Sequence, residues 1–79
     1  MKNLEIYNEI FTDTLGVAGD GLAGLAYQGV QEWDSVGHMQ LMAALEDAFD
    51  IVMDTDDIID FSSYEKGKEI LKKYDVTIA

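Results

Sequence analysis

The sequence predicts an all-α fold: a four-helix bundle with a short third helix and a long loop between the first two helices. Apolar residues recur at helical spacing in separate stretches, and the 79 residues contain no proline. Most of the seven glycines fall between positions 16 and 37, which places a long connection there. The length and the 48% apolar content fit a single domain, residues 1–79, with one core.

The first helix is predicted from Asn3 to Leu15, because Leu4, Tyr7, Phe11 and Leu15 recur at helical spacing. Gly16 should end it. From there to Trp33 the period disappears, and we expect a loop. Scattered apolar side chains should pin this loop to the core: Val17, Leu22, Leu25, Tyr27 and Val30.

The second helix is predicted from Ser35 to about Asp50, with Asp34 as its N-cap. One face should pack in the core, with Phe49 at its edge: Leu41, Leu45, Ala48 and Val52. The opposite face combines small apolar side chains with carboxylates: Val36, Met39, Ala43, Glu46, Asp47 and Asp50. We interpret this outward face, beside Ser35, as a docking surface.

A short third helix should start at Asp54 or Thr55 and run to about Phe61, with Ile58 and Ile59 as core contacts. Ser62 and Glu65 have capping-box spacing and predict the start of a fourth helix. Its stripe consists of Tyr64, Gly67, Ile70 or Leu71, and Tyr74. A glycine within a helix indicates close approach to another element, and residues 75–79 should form a tail.

Composition excludes several classes of function. Sixteen acidic and five basic side chains give a formal net charge of −11, which repels nucleic acid and anionic membranes, so neither is an expected partner. The absence of cysteine excludes disulfides and thiolate metal sites. No hydrophobic export signal follows Met1, and we therefore expect a cytoplasmic protein.

Ser35 is the candidate site of chemical modification in this sequence. It lies where a long loop meets a helix, a position that leaves a hydroxyl accessible to another enzyme. A catalytic serine needs an oriented base, and the one histidine, His38, is expected to be a partly buried structural residue. We therefore predict that Ser35 is modified and that the chain is not an enzyme.

Residues 33–41, WDSVGHMQL, and 45–51, LEDAFDI, resemble the Asp-Ser-Leu region of acyl carrier proteins. The resemblance implies a 4′-phosphopantetheine group on Ser35, beside Asp34, that carries acyl or aminoacyl cargo as thioesters. It places Val36, Met39, Glu46 and Asp47 on the partner-recognition surface, where the helix pattern also places Ala43. Implied partners are a phosphopantetheinyl transferase and acyl or aminoacyl ligases, synthases and transferases with basic docking patches. We expect a monomer.

The sequence departs from the fatty-acid-synthesis pattern of that family at Val36, which replaces a leucine, and at Gly37, His38 and Gln40. With these residues the sequence resembles specialised stand-alone carriers more than the carrier of fatty acid synthesis. Fatty acid, polyketide and related specialised pathways therefore all stay open. The interior could admit part of an acyl chain, with candidate lining residues Leu41, Leu45, Phe49, Ile58 and Phe61.

Two other functions fit parts of the sequence. An unmodified acidic interaction module could dock through Val36, Met39 and Ala43. A calcium loop would use residues with the spacing of its ligands: Asp54, Asp56, Asp60, Ser62 and Glu65. That loop needs an oxygen ligand and a glycine where Ile58 and Ile59 stand. We therefore predict no metal site.

Overall fold

The computed structural model describes residues 2–78; the ends of the predicted domain, Met1 and Ala79, lie outside them. The described chain contains four α-helices and no strand, only an isolated bridge between Ala26 and Ser63, which confirms the all-α class. The helices are α1 (Asn3–Leu15), α2 (Ser35–Phe49), α3 (Thr55–Asp60) and α4 (Tyr64–Lys72). Between α1 and α2 the structure has one short 3-10 helix, Gly19–Gly21.

The first two helices end in the same way. After α1, Gly16 adopts the left-handed conformation with φ 69°, and its N–H donates to the carbonyl of Thr12. After α2, Asp50 does so with φ 54°, and its N–H donates to the carbonyl of Glu46. Each left-handed residue satisfies a terminal carbonyl and reverses the chain direction. The predicted bounds of α1 and the predicted start of α2 are confirmed.

A cluster of aromatic side chains forms the centre of the core. The ring of Phe11 lies 4.9 Å from Tyr7, 5.3 Å from Tyr64, 5.6 Å from Trp33 and 6.3 Å from Phe61, measured between centroids. Tyr7, Phe11, Trp33 and Phe61 are fully buried. The Tyr7 hydroxyl donates to the carbonyl of Tyr64 at 2.7 Å, and burial raises the pKa of this hydroxyl. The aromatic cluster thereby joins α1, the loop and the start of α4.

The predicted core face of α2 is partly wrong. Leu41 and Leu45 are buried, but Ala48 is exposed and Val52 is 84% exposed. The helix ends at Phe49, and the left-handed Asp50 redirects the chain, so helical spacing no longer describes position 52. Met42 is 1% exposed and takes a core position beside Leu41 and Leu45, so the buried face is turned away from Ala48.

The start of α4 is one residue later than predicted. Ser63, not Ser62, is the N-cap, and its Oγ accepts the N–H of Lys66 at 3.0 Å. The carbonyl of Ser62 instead accepts the N–H of Tyr27, and this bond joins Ser62 to the loop before α2. The close approach predicted at Gly67 is confirmed, because Gly67 is buried against Phe61 and Tyr7.

The short helix α3 is attached by a carboxylate. Ile58 is partly buried, but Ile59 is 71% exposed, so its predicted core contact is wrong. Asp57 is 7% exposed and accepts hydrogen bonds from Lys73 Nζ at 2.8 Å and from the Tyr74 hydroxyl at 2.5 Å. With only six residues, α3 presents few side chains to the core, and these polar bonds hold it against the end of α4.

Asp57 should make stability depend on pH. The hydrogen bonds from Lys73 and Tyr74 lower the pKa of its carboxyl below the ordinary 3.8. The stabilising contribution is therefore fully present above that ordinary pKa and is lost as pH falls through the lower value of the folded state. We expect the difference in free energy of unfolding between wild type and Asp57→Asn to shrink from about pH 5 to about pH 2, measured by urea denaturation.

Asp56→Asn is the matched control for this experiment, since Asp56 is the exposed neighbour on the same helix. Its difference from wild type should change much less over the same pH range. An Asp57→Asn difference that stays constant with pH would contradict the proposed attachment of α3 by an ionised carboxylate.

The glycine-rich segment before α2 packs against the link between α3 and α4. Leu22 and Leu25 are buried, and the carbonyl of Leu25 accepts the N–H of Tyr64 at 2.9 Å. Two residues later, the N–H of Tyr27 donates to the carbonyl of Ser62 at 2.8 Å. These bonds fix the path of the loop toward Ser35. None of the helices within residues 2–78 is long and apolar enough to cross a membrane.

Candidate functional site

Ser35 is the first residue of α2 and is exposed. Asp34 caps the helix: its backbone is extended, and its Oδ1 accepts the N–H of Gly37 at 2.8 Å. The other free amides of the first turn and the helix dipole contribute a partial positive charge at this end of the helix. A serine side chain at this position projects from a rigid helix start into solvent.

Gly37 allows the loop to pass close to the first turn of α2. A Cβ atom built on Gly37 would lie 1.9 Å from the carbonyl oxygen of Glu32. Such a distance is far inside van der Waals contact, so the backbone at Glu32 occupies the space of a side chain at position 37. This crossing places Trp33 and Asp34 directly against the helix start.

His38 is partly buried, as the sequence predicts, and both of its ring nitrogens are engaged. The indole N–H of Trp33 points at Nδ1 at 2.9 Å, and Nε2 lies 2.7 Å from the carbonyl oxygen of Ile58. An indole nitrogen can only donate, so Nδ1 accepts, and Nε2 carries the proton that goes to the carbonyl. This neutral imidazole ties the loop to α3 and has no free lone pair to accept a proton from Ser35.

A groove of about 250 Å³ is lined by Tyr27, His38, Ile59, Phe61 and Ser62. We describe it as the groove beside Ser35 because the hydroxyl of Tyr27 lies 3.3 Å from Ser35 Oγ, although Ser35 itself does not line it. The apolar lining of the groove includes the exposed Ile59 and the buried Phe61. Of the five residues predicted to line an acyl cavity, only Phe61 borders this groove. The other four belong to the fully buried core, Leu41 and Leu45, or are partly buried against it, Phe49 and Ile58.

The predicted docking surface, Val36, Met39, Ala43, Glu46 and Asp47, is largely accessible. Val36 is 66% and Met39 56% exposed, and Ala43 and Asp47 are also exposed. Glu46 differs, because it is half-buried and its Oε2 accepts the N–H of Met53 at 2.8 Å. One oxygen of Glu46 is thus committed to the link between α2 and α3, whereas the carboxylate of Asp47 faces solvent.

The charges of the chain are unevenly distributed. Four of the five lysines lie between positions 66 and 73, and α2 contains neither lysine nor arginine. A second groove, of about 430 Å³, runs along α4 and includes Lys66 and Lys68. Those lysines pair with Glu69 at 4.0 Å and Glu65 at 3.4 Å, and none of the predicted site residues lines this groove.

The residues of the predicted calcium alternative do not converge. Within residues 2–78, no group of three or more histidine, cysteine, aspartate or glutamate side chains is arranged to hold a metal ion. Asp54, Asp57 and Tyr74 instead form a hydrogen-bonded group, in which the Tyr74 hydroxyl accepts the N–H of Asp54 and donates to Asp57. In this group only the Asp57 carboxylate is an acceptor, because Asp54 takes part through its backbone N–H.

Tyr27 is the site residue that sequence reasoning missed. Its hydroxyl lies 3.3 Å from Ser35 Oγ, although the two residues are eight positions apart. The sequence marks Tyr27 only as an apolar side chain that pins the loop. A contact made by a loop without periodicity depends on the path of that loop, and no local signal in the sequence encodes it.

Comparisons with models of protein families, with curated proteins and with solved structures found no match to this chain.

Proposed function

We propose that this chain is a carrier protein that bears 4′-phosphopantetheine on Ser35 and delivers acyl or aminoacyl intermediates to biosynthetic enzymes. The observation that carries the proposal is the exposed Ser35 hydroxyl at the first position of α2, capped by Asp34. The resemblance of residues 33–51 to acyl carrier proteins supports it. The proposal includes the rest of that family's pattern: a four-helix bundle with a long first loop, acting as a monomer in the cytoplasm.

The surroundings of Ser35 fit a phosphate-containing group. The amino-terminal end of a helix attracts anions through its free amides and its dipole, and α2 is 15 residues long. The hydroxyl is exposed, so a second protein can reach it. The groove beside it offers apolar surface to a flexible chain. The Asp34 carboxylate opposes an anion, but its Oδ1 is already bonded to the N–H of Gly37.

The modification is a phosphoryl transfer from coenzyme A. Ser35 Oγ forms a bond to the phosphorus that carries the pantetheine arm, and the bond from that phosphorus to adenosine 3′,5′-bisphosphate breaks. The serine proton passes to a base of the transferase, since His38 has no free lone pair. The attached group supplies the thiol that forms thioesters with the cargo, which this cysteine-free chain cannot supply itself.

The partners follow from charge and exposure. A net charge of −11 steers encounters toward enzymes with basic patches: the transferase first, then ligases, synthases and acyltransferases. Val36, Met39 and Ala43 supply apolar contacts, and Asp47 supplies a free carboxylate. Fatty acid, polyketide and related specialised pathways all use such partners, and the proposal extends to each of them.

Intact mass spectrometry tests this proposal. We expect wild-type protein, incubated with coenzyme A and a broad-specificity phosphopantetheinyl transferase, to gain the mass of one phosphopantetheine group. Ser35→Ala should gain none, because Ser35 is the one serine that stands at the first position of a helix within residues 2–78. Ser62→Ala, which removes another exposed serine, is the matched control and should be modified like wild type. No adduct on wild type, or an adduct that persists in Ser35→Ala, would contradict the proposal.

The second candidate is an acidic interaction module that is never modified. The exposure of Val36 and Met39 beside the carboxylate of Asp47 favours it, because such a face suits a partner with a basic rim around an apolar patch. Under this alternative the wild-type mass stays unchanged in the experiment above. Binding to a partner enzyme would then be equal for wild type and Ser35→Ala.

A further inference from the structure

The hydroxyls of Tyr27 and Ser35 lie 3.3 Å apart, and either of them can donate the hydrogen bond in the unmodified chain. Ser35 is exposed and Tyr27 is 36% exposed, so the contact lies at the surface where the proposed modification takes place. The nearest acid in sequence, Asp34, uses its Oδ1 for the N–H of Gly37. Tyr27 is thus a side-chain partner of Ser35 with a proton to donate.

Tyr27 is held rigidly in this position. Its ring meets those of His38 and Trp33 edge-on, with centroids 5.4 Å and 6.3 Å away. Its backbone N–H donates to the carbonyl of Ser62 at 2.8 Å, and the N–H of the next residue, Gln28, donates to the carbonyl of Trp33 at 3.0 Å. A hydroxyl on a ring fixed in this way meets its partner without further loss of side-chain freedom.

Esterification of Ser35 would change the roles in this pair. A phosphodiester has no proton, and the esterified Oγ loses its own, so the tyrosine hydroxyl becomes the only possible donor. The charged phosphate oxygens are bonded to the same phosphorus as Oγ and therefore come within reach of a hydroxyl that is 3.3 Å from Oγ. A hydrogen bond to such an anion is shorter and stronger than the neutral bond it replaces.

We propose that Tyr27 is a positioning residue for the phosphopantetheine arm: its hydroxyl donates to the phosphate on Ser35 and holds the start of the arm at the groove. This inference rests on the function proposed above. The ring of Tyr27 itself lines that groove, together with Ile59 and Phe61. A phosphate that is hydrogen-bonded to Tyr27 therefore directs the first part of the arm onto the apolar surface between the loop and α3.

Phosphorus NMR of the modified protein tests the inference. In the folded wild type, we expect the phosphorus resonance to be displaced from its position in the urea-unfolded protein. In Tyr27→Phe, which removes only the hydroxyl, most of that displacement should be lost. Tyr74→Phe is the matched control, because the Tyr74 hydroxyl donates to Asp57, and it should leave the resonance where wild type has it.

Two outcomes would overturn the inference in different ways. If wild type gains no mass with coenzyme A and the transferase, the proposed function fails and the inference with it. If wild type is modified but its phosphorus resonance coincides with that of Tyr27→Phe, the carrier function stands and the role of Tyr27 is wrong.

A measurement on wild type alone covers the case in which Tyr27→Phe does not fold or is not modified. With ¹³C-labelled tyrosine, the Tyr27 ring carbon bearing the hydroxyl should shift when Ser35 is modified, whereas those of Tyr7 and Tyr74 should not. A Tyr27 resonance that stays in place on modification would overturn the inference.

Discussion

Gly37→Ala is expected to be one of the most destabilising single substitutions in this chain. The new Cβ would lie 1.9 Å from the carbonyl oxygen of Glu32 and 3.1 Å from its carbonyl carbon. Alanine favours a helix over glycine by about 1 kcal/mol, but overpacking of this kind costs about 3 kcal/mol or more. Because the obstacle is backbone, no side-chain rotation relieves it, and the net loss should be about 2–3 kcal/mol.

This loss is a large fraction of the total free energy of unfolding of the domain. A 79-residue domain has a free energy of unfolding of roughly 4–12 kcal/mol, and each kcal/mol shifts the midpoint of thermal unfolding by about 4–8 °C. The midpoint of thermal unfolding of the unmodified proteins should be at least about 8 °C lower, and urea denaturation should show the same loss as a lower free energy of unfolding. Relief of the clash moves the backbone before α2, so the Asp34 cap should weaken and the proposed modification of Ser35 should slow.

Gly24→Ala is the control for Gly37→Ala. A Cβ at Gly24 meets nothing within 4 Å, and the backbone there is not left-handed. Its free energy of unfolding should stay within about 0.5 kcal/mol of wild type. Equal stability of the two alanine variants would show that residues 32–34 do not cross α2 as described.

Local signals in the sequence predict the helix caps and helix ends, because these depend only on residues within one helical turn. The Asp34 cap, the end of α1 at Gly16 and the start of α2 at Ser35 are set by residues within a few positions. The buried face of α2 is predicted less well, because it also depends on which elements pack against the helix. Leu41 and Leu45 are buried as expected, whereas Ala48 on the same predicted face is exposed.

The candidate site divides in the same way. Ser35 and Asp34 are recognisable in sequence, since a capping acid followed by a serine defines a helix start. The contact between Tyr27 and Ser35, and the crossing of Glu32 over Gly37, are not recognisable, because they follow from the path of the loop. That path is set by bonds to the distant link between α3 and α4, such as Tyr27 N–H to the carbonyl of Ser62.

Gly67→Ala tests the one close approach that the sequence does predict. In an exposed helix this substitution would stabilise the chain by about 1 kcal/mol. Here the Cβ would lie 2.2 Å from both Phe61 Cζ and the Tyr7 hydroxyl oxygen. Both side chains are fully buried, and the Tyr7 hydroxyl is held by its bond to the carbonyl of Tyr64, so overpacking should outweigh the helix preference and give a net loss of about 1–2 kcal/mol in urea unfolding.

A double-mutant cycle with Phe61→Leu separates this clash from a general intolerance of substitution in α4. Leucine lacks the ring edge that the new methyl group would meet, so part of the cost of Gly67→Ala should disappear in the Phe61→Leu background. The coupling should be favourable and about 1 kcal/mol. Additive losses would mean that Phe61 does not oppose the methyl group.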